Sequence, residues 1–379
     1  MKILHIPSWF PQVDNPLDGN FILKHIATTA ADTTAIVLHH TKGHVDIPII
    51  SQDGNIIFHP IEVSHSMSKW QLYKAYVRAF DEIVARYGRP DVIHLHVALP
   101  LGFLAARLSR KYRIPLVVSE HWSVYYQENR FLLTSLQKLA LHYIFHTVRH
   151  ITTVSEYLHT AIVEMLPEAK NIPYTIVSNT VNTNLFCTKS SQPHGKKQIL
   201  HISNLEQESK NIMGILHVIK RLSQQRSDFE LNIIHDLANL QVEQFIRQEN
   251  LGNSVHLLGK KTEEEVAEAI QNCDFMLQFS NYETQSCVLL EAFCCGKPAV
   301  ATPVGGIPEI ATADNTVFTE PCNEDDCLEK IAFMLDHFQD FNAEEIQKQA
   351  AAKCDSAIIG KKFLNIYKKF LYIYQQMVQ

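Results

Sequence analysis

The stretch FSNYETQSCVLLEAFCCGKPAVATPVGGIPEI (279–310) leaves an apolar strand through a polar loop and enters a helix over 286–295. It turns at Gly296, runs as a second strand, and ends in a Gly305-Gly306 loop that opens onto a short helix. Strand, helix and strand within about thirty residues form the unit of a parallel α/β sheet. Working outward, the same alternation recurs along the chain. In the first half, strands are expected at Lys2–Ile6, Thr34–His39, Asn55–Phe58, Val92–His96, Leu116–Ser119, Ile151–Val154 and Thr175–Val177. Helices fall between them at 20–31, 69–87, 101–111, 131–148 and 155–166. Several strands are apolar on both sides, as helices covering both faces of a sheet require.

The segment CTKSSQPHGKK (187–197) is polar and turn-rich and reads as a linker. The pattern then restarts, with strands at Gln198–Ile202 and near 229–234, 254–258, 274–278, 298–302 and 316–318. Helices are expected near 210–225, 238–249, 262–272, 286–295, 323–337 and 343–353. The last stretch, Ala357–Val378, is one long amphipathic helix with Phe363, Ile366, Tyr367, Phe370, Leu371 and Ile373 as its apolar stripe. The expected architecture is two doubly wound domains in tandem, 1–186 and 198–356, with a ligand in the cleft between their C-terminal strand edges. The final helix, 357–379, is expected to cross back onto the first domain.

A length of 379 residues suits two domains. With 46% hydrophobic and 20% charged residues, 13 Gly and 15 Pro, disordered and collagen-like chains are excluded. A net charge of −6 argues against a protein that coats nucleic acid. The charge is uneven: residues 1–185 carry 16 Lys+Arg against 14 Asp+Glu, leaving 18 against 26 for the remainder. An anionic surface or acceptor is therefore expected at the first half. All eight cysteines lie after residue 186, and MKILHIPSWF reads as a first strand, not a secretory leader. A reducing, cytoplasmic setting with free thiols is expected. Cys322-x4-Cys327 has no second pair at zinc spacing, so no metal is expected.

The chemistry centres on 279–310. Glu283 stands before the helix, and Glu291 follows eight residues later, about 2.2 turns at 3.6 residues per turn. Thr284, Gln285 and Ser286 open the helix and offer backbone N–H groups to an anion or a sugar hydroxyl. Two such carboxylates can each accept hydrogen bonds from a vicinal diol. The plainer account makes Glu283 a helix-start acid and Glu291 a solvated helix face. A charge inside VLLEAFCC argues against it.

The whole set resembles the glycosyltransferases of family 4, retaining two-domain enzymes of the GT-B type. Their signature is E-x7-E followed by G-x-P-V-V-x-x-x-x-G-G-x-x-E, matched by Glu283, Glu291, Gly296, Pro298, Gly305, Gly306 and Glu309. PDVIHLH (90–96) with Pro100 and Gly102, IPLVVSEH (114–121), ITTVSEYL (151–158), IVSNTVNTNLF (176–186) and NPLDGNFILKH (15–25) extend the resemblance over nearly the full chain. It implies metal-independent transfer of a hexose-type sugar from a nucleotide-diphosphate donor with retention, and no cofactor. Glu291 matches the acid on the donor ribose, Glu283 the acid on the transferred sugar, and Lys210 the phosphate-binding lysine. Thr284, Gln285, Ser286 and Cys287 fall among the donor contacts. Gly19 matches the loop residue that lets backbone approach the donor phosphates, and His121 the histidine that touches the transferred sugar. Enzymes of this type need no base of their own, so Glu120 is not assigned as one.

His94 and His96 are taken as supporting residues on opposite sides of their strand, His96 nearer the cleft. Asn204 stands near the place of the family's arginine, six residues before Lys210 instead of five. His235-Asp236-Leu237-Ala238 replaces the usual Gly-acid-Gly loop. The acceptor class is a glycan, a lipid-linked or a small molecule, with cell-surface polysaccharide synthesis as the setting. A catalytically weak GT-B-like carbohydrate-binding or partner subunit is the alternative, and Asn204 and the altered loop favour it. Arg107, Arg110, Lys111 and Arg113, with Trp70, Tyr73, Tyr76 and Phe80 on helix 69–87, are expected to rest on an anionic membrane at its inner face.

Overall fold

The computed structural model describes residues 1–11, 19–41, 55–63, 67–189 and 195–378. Residues 15–18 of the first-helix motif and 190–194 of the expected linker lie outside the described residues. The chain divides into two compact units, Met1–Thr180 with Ser356–Gln379, and Val181–Asp355.

The first unit holds a parallel sheet of β1 (Lys2–Pro7), β2 (Thr34–Thr41), β3 (Ile56–Glu62), β4 (Val92–His96), β5 (Leu116–Glu120), β6 (His150–Thr153) and β7 (Tyr174–Ile176). Their order is β3-β2-β1-β4-β5-β6-β7. β4 and β5 are buried at every residue, as strands covered on both faces must be. On one face Ile3, Val92 and Val117 pack with Ile359, Phe363, Ile366 and Tyr367 of the helix Ser356–Val378. The last helix thus returns to the first unit, as its apolar stripe requires. The approach is close: a Cβ on Gly360 would stand 2.3 Å from the carbonyl oxygen of Thr28.

The second unit repeats the plan with β8 (Lys197–Ile202), β9 (Phe229–Ile234), β10 (Val255–Gly259), β11 (Phe275–Gln278), β12 (Ala299–Ala301) and β13 (Thr316–Phe318). The order is β10-β9-β8-β11-β12-β13. Alternate side chains feed two cores. Ile199, Leu231, Ile233, Phe275 and Leu277 pack with helices Ile212–Ser223 and Glu324–His337. Leu200, Met276, Ala299 and Ala301 pack with Glu263–Asn272, Cys287–Cys294 and Ala343–Cys354. In both sheets the order reverses beside the first strand, and at such a switch point an open α/β sheet leaves room for ligand beyond its strand ends.

Three expectations change. Val181 and Phe186 belong to the core of the second unit, so the units part after Thr180 and not after 186. The reason is local: the Val181 N–H donates to the Cys354 carbonyl at 3.0 Å. The helix expected from 131 begins at Ser135, because Thr134 and Gln137 form a capping box there and Gln127–Leu132 winds as 3-10 turns. The helix expected over 210–225 is two: Gln207–Lys210, then Ile212–Ser223, broken at Asn211 in the left-handed region (φ 52°). Lys210 therefore ends a short helix instead of opening a long one. No helix among the described residues is long and apolar enough to cross a membrane.

Candidate functional site

β8 and β11 are neighbours at the switch point of the second unit, and the loops that follow them carry Lys210 and Glu283. Glu283 is buried, and its Oε1 accepts from Lys210 Nζ at 2.6 Å, Gln278 Nε2 at 2.9 Å and Ser280 Oγ at 3.1 Å. Lys210 is partly exposed (23% of its side chain against 8% for Glu283). An ion pair with one member open to solvent leaves an ammonium that an incoming anion can share.

The two loops are tied through backbone. The Asn281 N–H donates to the Ser209 carbonyl at 2.8 Å, and its amide donates to the carbonyls of Gln207 (3.3 Å) and Glu208 (3.0 Å). Asn281 thus satisfies orphan carbonyls of the helix that ends in Lys210. Behind Glu283, Gly305 adopts φ +54°, and a Cβ there would stand 1.7 Å from the Glu283 carbonyl oxygen. The Gly306 N–H reaches the same oxygen at 3.3 Å. The Gly-Gly loop is therefore the backrest of Glu283, which explains the spacing of the motif.

Ser286 caps the helix Cys287–Cys294, accepting from the Leu289 N–H at 3.4 Å. Thr284 and Gln285 complete the turn into it, and Cys287 is half-buried at its first position. Glu291 is buried in that helix, which removes the solvated-face account. Asn204 is half-buried, and its side chain accepts from the Glu206 N–H at 3.3 Å. Beneath the loops, His201 Nδ1 donates to the Leu277 carbonyl at 2.8 Å, and Nε2 meets Ser203 Oγ at 2.8 Å. Burial, with the nearby Lys210 ammonium, holds this imidazole down at about 4, so it stands neutral beneath the charge pair.

In the first unit, Gly19 (φ +68°) precedes the helix Asn20–Ala27, and a Cβ would stand 2.4 Å from the Trp9 carbonyl oxygen. His121 follows β5, packed against Phe21 (ring centroids 4.6 Å) and His25 (5.3 Å). Its Nε2 has no hydrogen-bond partner among the described residues, and burial keeps the ring neutral well below the usual range. Beside it Glu120 accepts from the Ala98 N–H and the Tyr125 hydroxyl, each at 2.7 Å. Burial raises its carboxyl to about 7. Val97, a β-branched residue at φ 63°, is held between those bonds and the Ser119 carbonyl.

His94 and His96 do not face opposite sides. Residues two apart on a strand share a face, and their rings lie 4.0 Å apart. With His5 they bring nitrogens within 4.8 Å of one another, the one such cluster among the described residues. His94 is already committed to the Tyr367 hydroxyl (2.6 Å) and Ser119 Oγ (2.7 Å), and His5 Nδ1 to His96 Nε2 (3.0 Å). The cluster is built as a buried hydrogen-bonded network on the adjacent central strands β1 and β4 of the sheet. Sequence reasoning missed Gln278, Ser280 and Asn281, although the polar run QFSNYE at a strand end was their signal.

A family model described as "Glycosyl transferases group 1" matches residues 186–353. One described as "Glycosyltransferase Family 4" matches residues 34–185. An uncharacterised glycosyltransferase of Methanocaldococcus jannaschii is 28% identical over 262 residues, 68% of this chain and 67% of that protein. The N-acetyl-alpha-D-glucosaminyl L-malate synthase of Bacillus anthracis is 26% identical over 274 residues, 69% and 70% of the two chains. Among solved structures, sucrose-phosphate synthase from Thermosynechococcus elongatus superposes with a TM-score of 0.80 at 14% identity, covering 98% of this chain and 100% of that one. Anabaena HepE in complex with UDP-glucose gives 0.77 at 19%, covering 97% and 100%. The two family models together run from residue 34 to 353, and the chain belongs to the family 4 glycosyltransferases, of the GT-B fold with its two Rossmann-like domains.

Proposed function

We propose that the protein transfers a hexose-type sugar from a nucleotide-diphosphate sugar, with retention, to a glycan, lipid-linked or small hydroxylic acceptor in polysaccharide synthesis. The observation that carries this reading is the Lys210–Glu283 pair at the switch point, braced by Asn281 and Gly305. As the bond from the anomeric carbon to the diphosphate breaks, negative charge grows on the departing oxygens. Lys210 is the cation placed to stabilise it. The acceptor oxygen bonds to the anomeric carbon on the face the phosphate leaves, and its proton passes to the departing phosphate oxygen. No further acid or base is required.

Glu283 is assigned to hydroxyls of the transferred sugar and Glu291 to the ribose, with Thr284, Gln285, Ser286 and Cys287 lining the donor. Asn204 sits on the donor side without the charge of an arginine. His121 is assigned to the transferred sugar and Gly19 to a close backbone approach. UDP-glucose in the Anabaena enzyme supports a nucleotide sugar as the donor class.

The test is release of nucleoside diphosphate from a panel of nucleotide sugars, with a thermal-shift screen of the corresponding diphosphates. Lys210→Ala is expected to lower turnover by about 100- to 1,000-fold, the range for removing one transition-state donor. Diphosphates that bind with no release from any sugar nucleotide, with or without acceptor, would favour the partner-subunit reading.

A further inference from the structure

Three helices of the first unit, Lys69–Tyr87, Gly102–Tyr112 and Ser135–Phe145, carry a surface that the sugar-transfer chemistry does not use. Trp70, 61% exposed, stacks on Tyr73 with ring centroids 5.3 Å apart, and Lys74 Nζ lies 5.5 Å from the Trp70 ring. The Arg107 guanidinium bridges Tyr73 (5.4 Å) and Phe103 (5.9 Å). Phe103 meets Tyr143 at 5.0 Å, and Arg110 covers that ring at 4.5 Å. Cations and aromatic rings thus form one continuous ladder across three helices.

An apolar stripe continues it. Leu136, Leu139 and Tyr143 are spaced by three and four, so they share a helix face. Leu136 is 76% and Leu139 69% exposed, and the preceding turn adds Phe131 and Leu132, also exposed. Tyr76 and Phe80, which the sequence suggested for this surface, are fully buried in the core. The surface is therefore made by a different set of residues than the apolar count of helix 69–87 implied.

Charge selects the occupant. The helices Gly102–Tyr112 and Ser135–Phe145 contain no Asp or Glu, and Lys69–Tyr87 has none before Asp81 and Glu82 in its second half. Lys74, Arg78, Arg107 and Arg110 are exposed, and among the described residues none of them forms an ion pair with a carboxylate, whereas Lys111 is linked through the Tyr112 hydroxyl to Asp81. A second copy of the chain would meet like charge with like across a two-fold axis. Protruding Leu and Phe beside cations fit a layer whose surface is anionic and whose interior is apolar.

We propose that this face docks on an anionic lipid bilayer, with Phe131, Leu132, Leu136 and Leu139 entering the headgroup–acyl boundary and the Lys74–Arg110 ladder resting on lipid phosphates. The reading is independent of which sugar is moved.

The experiment is co-sedimentation of the full chain with vesicles of phosphatidylcholine alone and of phosphatidylcholine with phosphatidylglycerol, at low and high salt. Binding is expected only with the anionic vesicles and is expected to weaken as salt rises. One basic residue near such a surface is worth about five-fold in partition. Arg107→Ala with Arg110→Ala is therefore expected to weaken binding by about 25-fold. Leu136→Ser with Leu139→Ser is expected to weaken it by about ten-fold without altering the salt dependence. Unchanged melting and donor hydrolysis check that both variants fold. Failure of the wild-type chain to pellet at low salt would overturn the proposal. So would equal pelleting of wild type and both variants, or a dimer in sedimentation equilibrium that the Leu substitutions dissolve.

Discussion

Acidification below about pH 6.5 is expected to destabilise the first unit through its buried imidazoles, while Glu120, whose carboxyl burial raises to about 7, takes up a proton in the folded chain and offsets part of the loss. Burial lowers His5 from an ordinary 6.5 to about 3 and His25 to about 4, and depresses His94, His96 and His121 in the same direction. The unfolded chain protonates these rings near 6.5, so below that pH it binds protons that the folded chain refuses. The stability they contribute is complete above about pH 6.5 and is lost as pH falls toward the folded values of about 3 to 4. Each ring costs about 1.4 kcal/mol per pH unit in that window. At pH 5, His5 and His25 together remove about 4 kcal/mol, and the other three rings add to the loss. A typical domain has 5–15 kcal/mol in all. Among the described residues of the second unit only His201 is both fully buried and lowered, to about 4, for a loss of about 2 kcal/mol.

The three tryptophans, Trp9, Trp70 and Trp122, all lie in the first unit, so their fluorescence reports that unit alone. Urea midpoints followed by fluorescence are expected to drop steeply between about pH 7 and pH 5. His5→Gln is expected to flatten the slope by about 1.4 kcal/mol per pH unit. A midpoint that holds constant over that interval would refute the account of neutral buried imidazoles.

Two steric predictions accompany it. Gly305→Ala is expected to push the Glu283 backbone out of place, because the added carbon lies 1.7 Å from its carbonyl oxygen at a φ that L-residues rarely adopt. Donor turnover should fall by at least about 100-fold while tryptophan-detected stability of the first unit stays constant; full activity would show that the loop relaxes freely. Gly360→Val drives a side chain into the Thr28 carbonyl, 2.3 Å away for a bare Cβ, and is expected to lower first-unit stability by about 2–3 kcal/mol in the same urea assay.

The strand and helix sequence was largely readable because apolar runs such as LVV in β5 are rich in β-branched residues and helix 69–87 has a clear period. The break at Asn211 was hidden, since the apolar period of 212–222 masks a left-handed residue that is not glycine. At the site, Glu283, Glu291 and the glycines were visible as a spaced motif within one segment. Gln278 and Asn281 were not, because their value lies in bonds to Glu283 and to the carbonyls of 207–208, which only the pairing of β8 with β11 brings near. Helix 69–87 shows a further limit: its period marks an apolar stripe, yet only burial tells Tyr76 and Phe80, which are core, from Trp70, which is surface.

The return of the helix Ser356–Val378 to Ile3, Val92 and Val117 carries a consequence for synthesis. As the polypeptide leaves the ribosome, the early sheet must wait through the whole of 181–355 with one apolar seam uncovered. The middle unit can close by itself in that interval. A holdase chaperone is therefore most needed by the segment made first, and a stall in translation before residue 356 should yield a product whose N-terminal half aggregates while its middle remains folded.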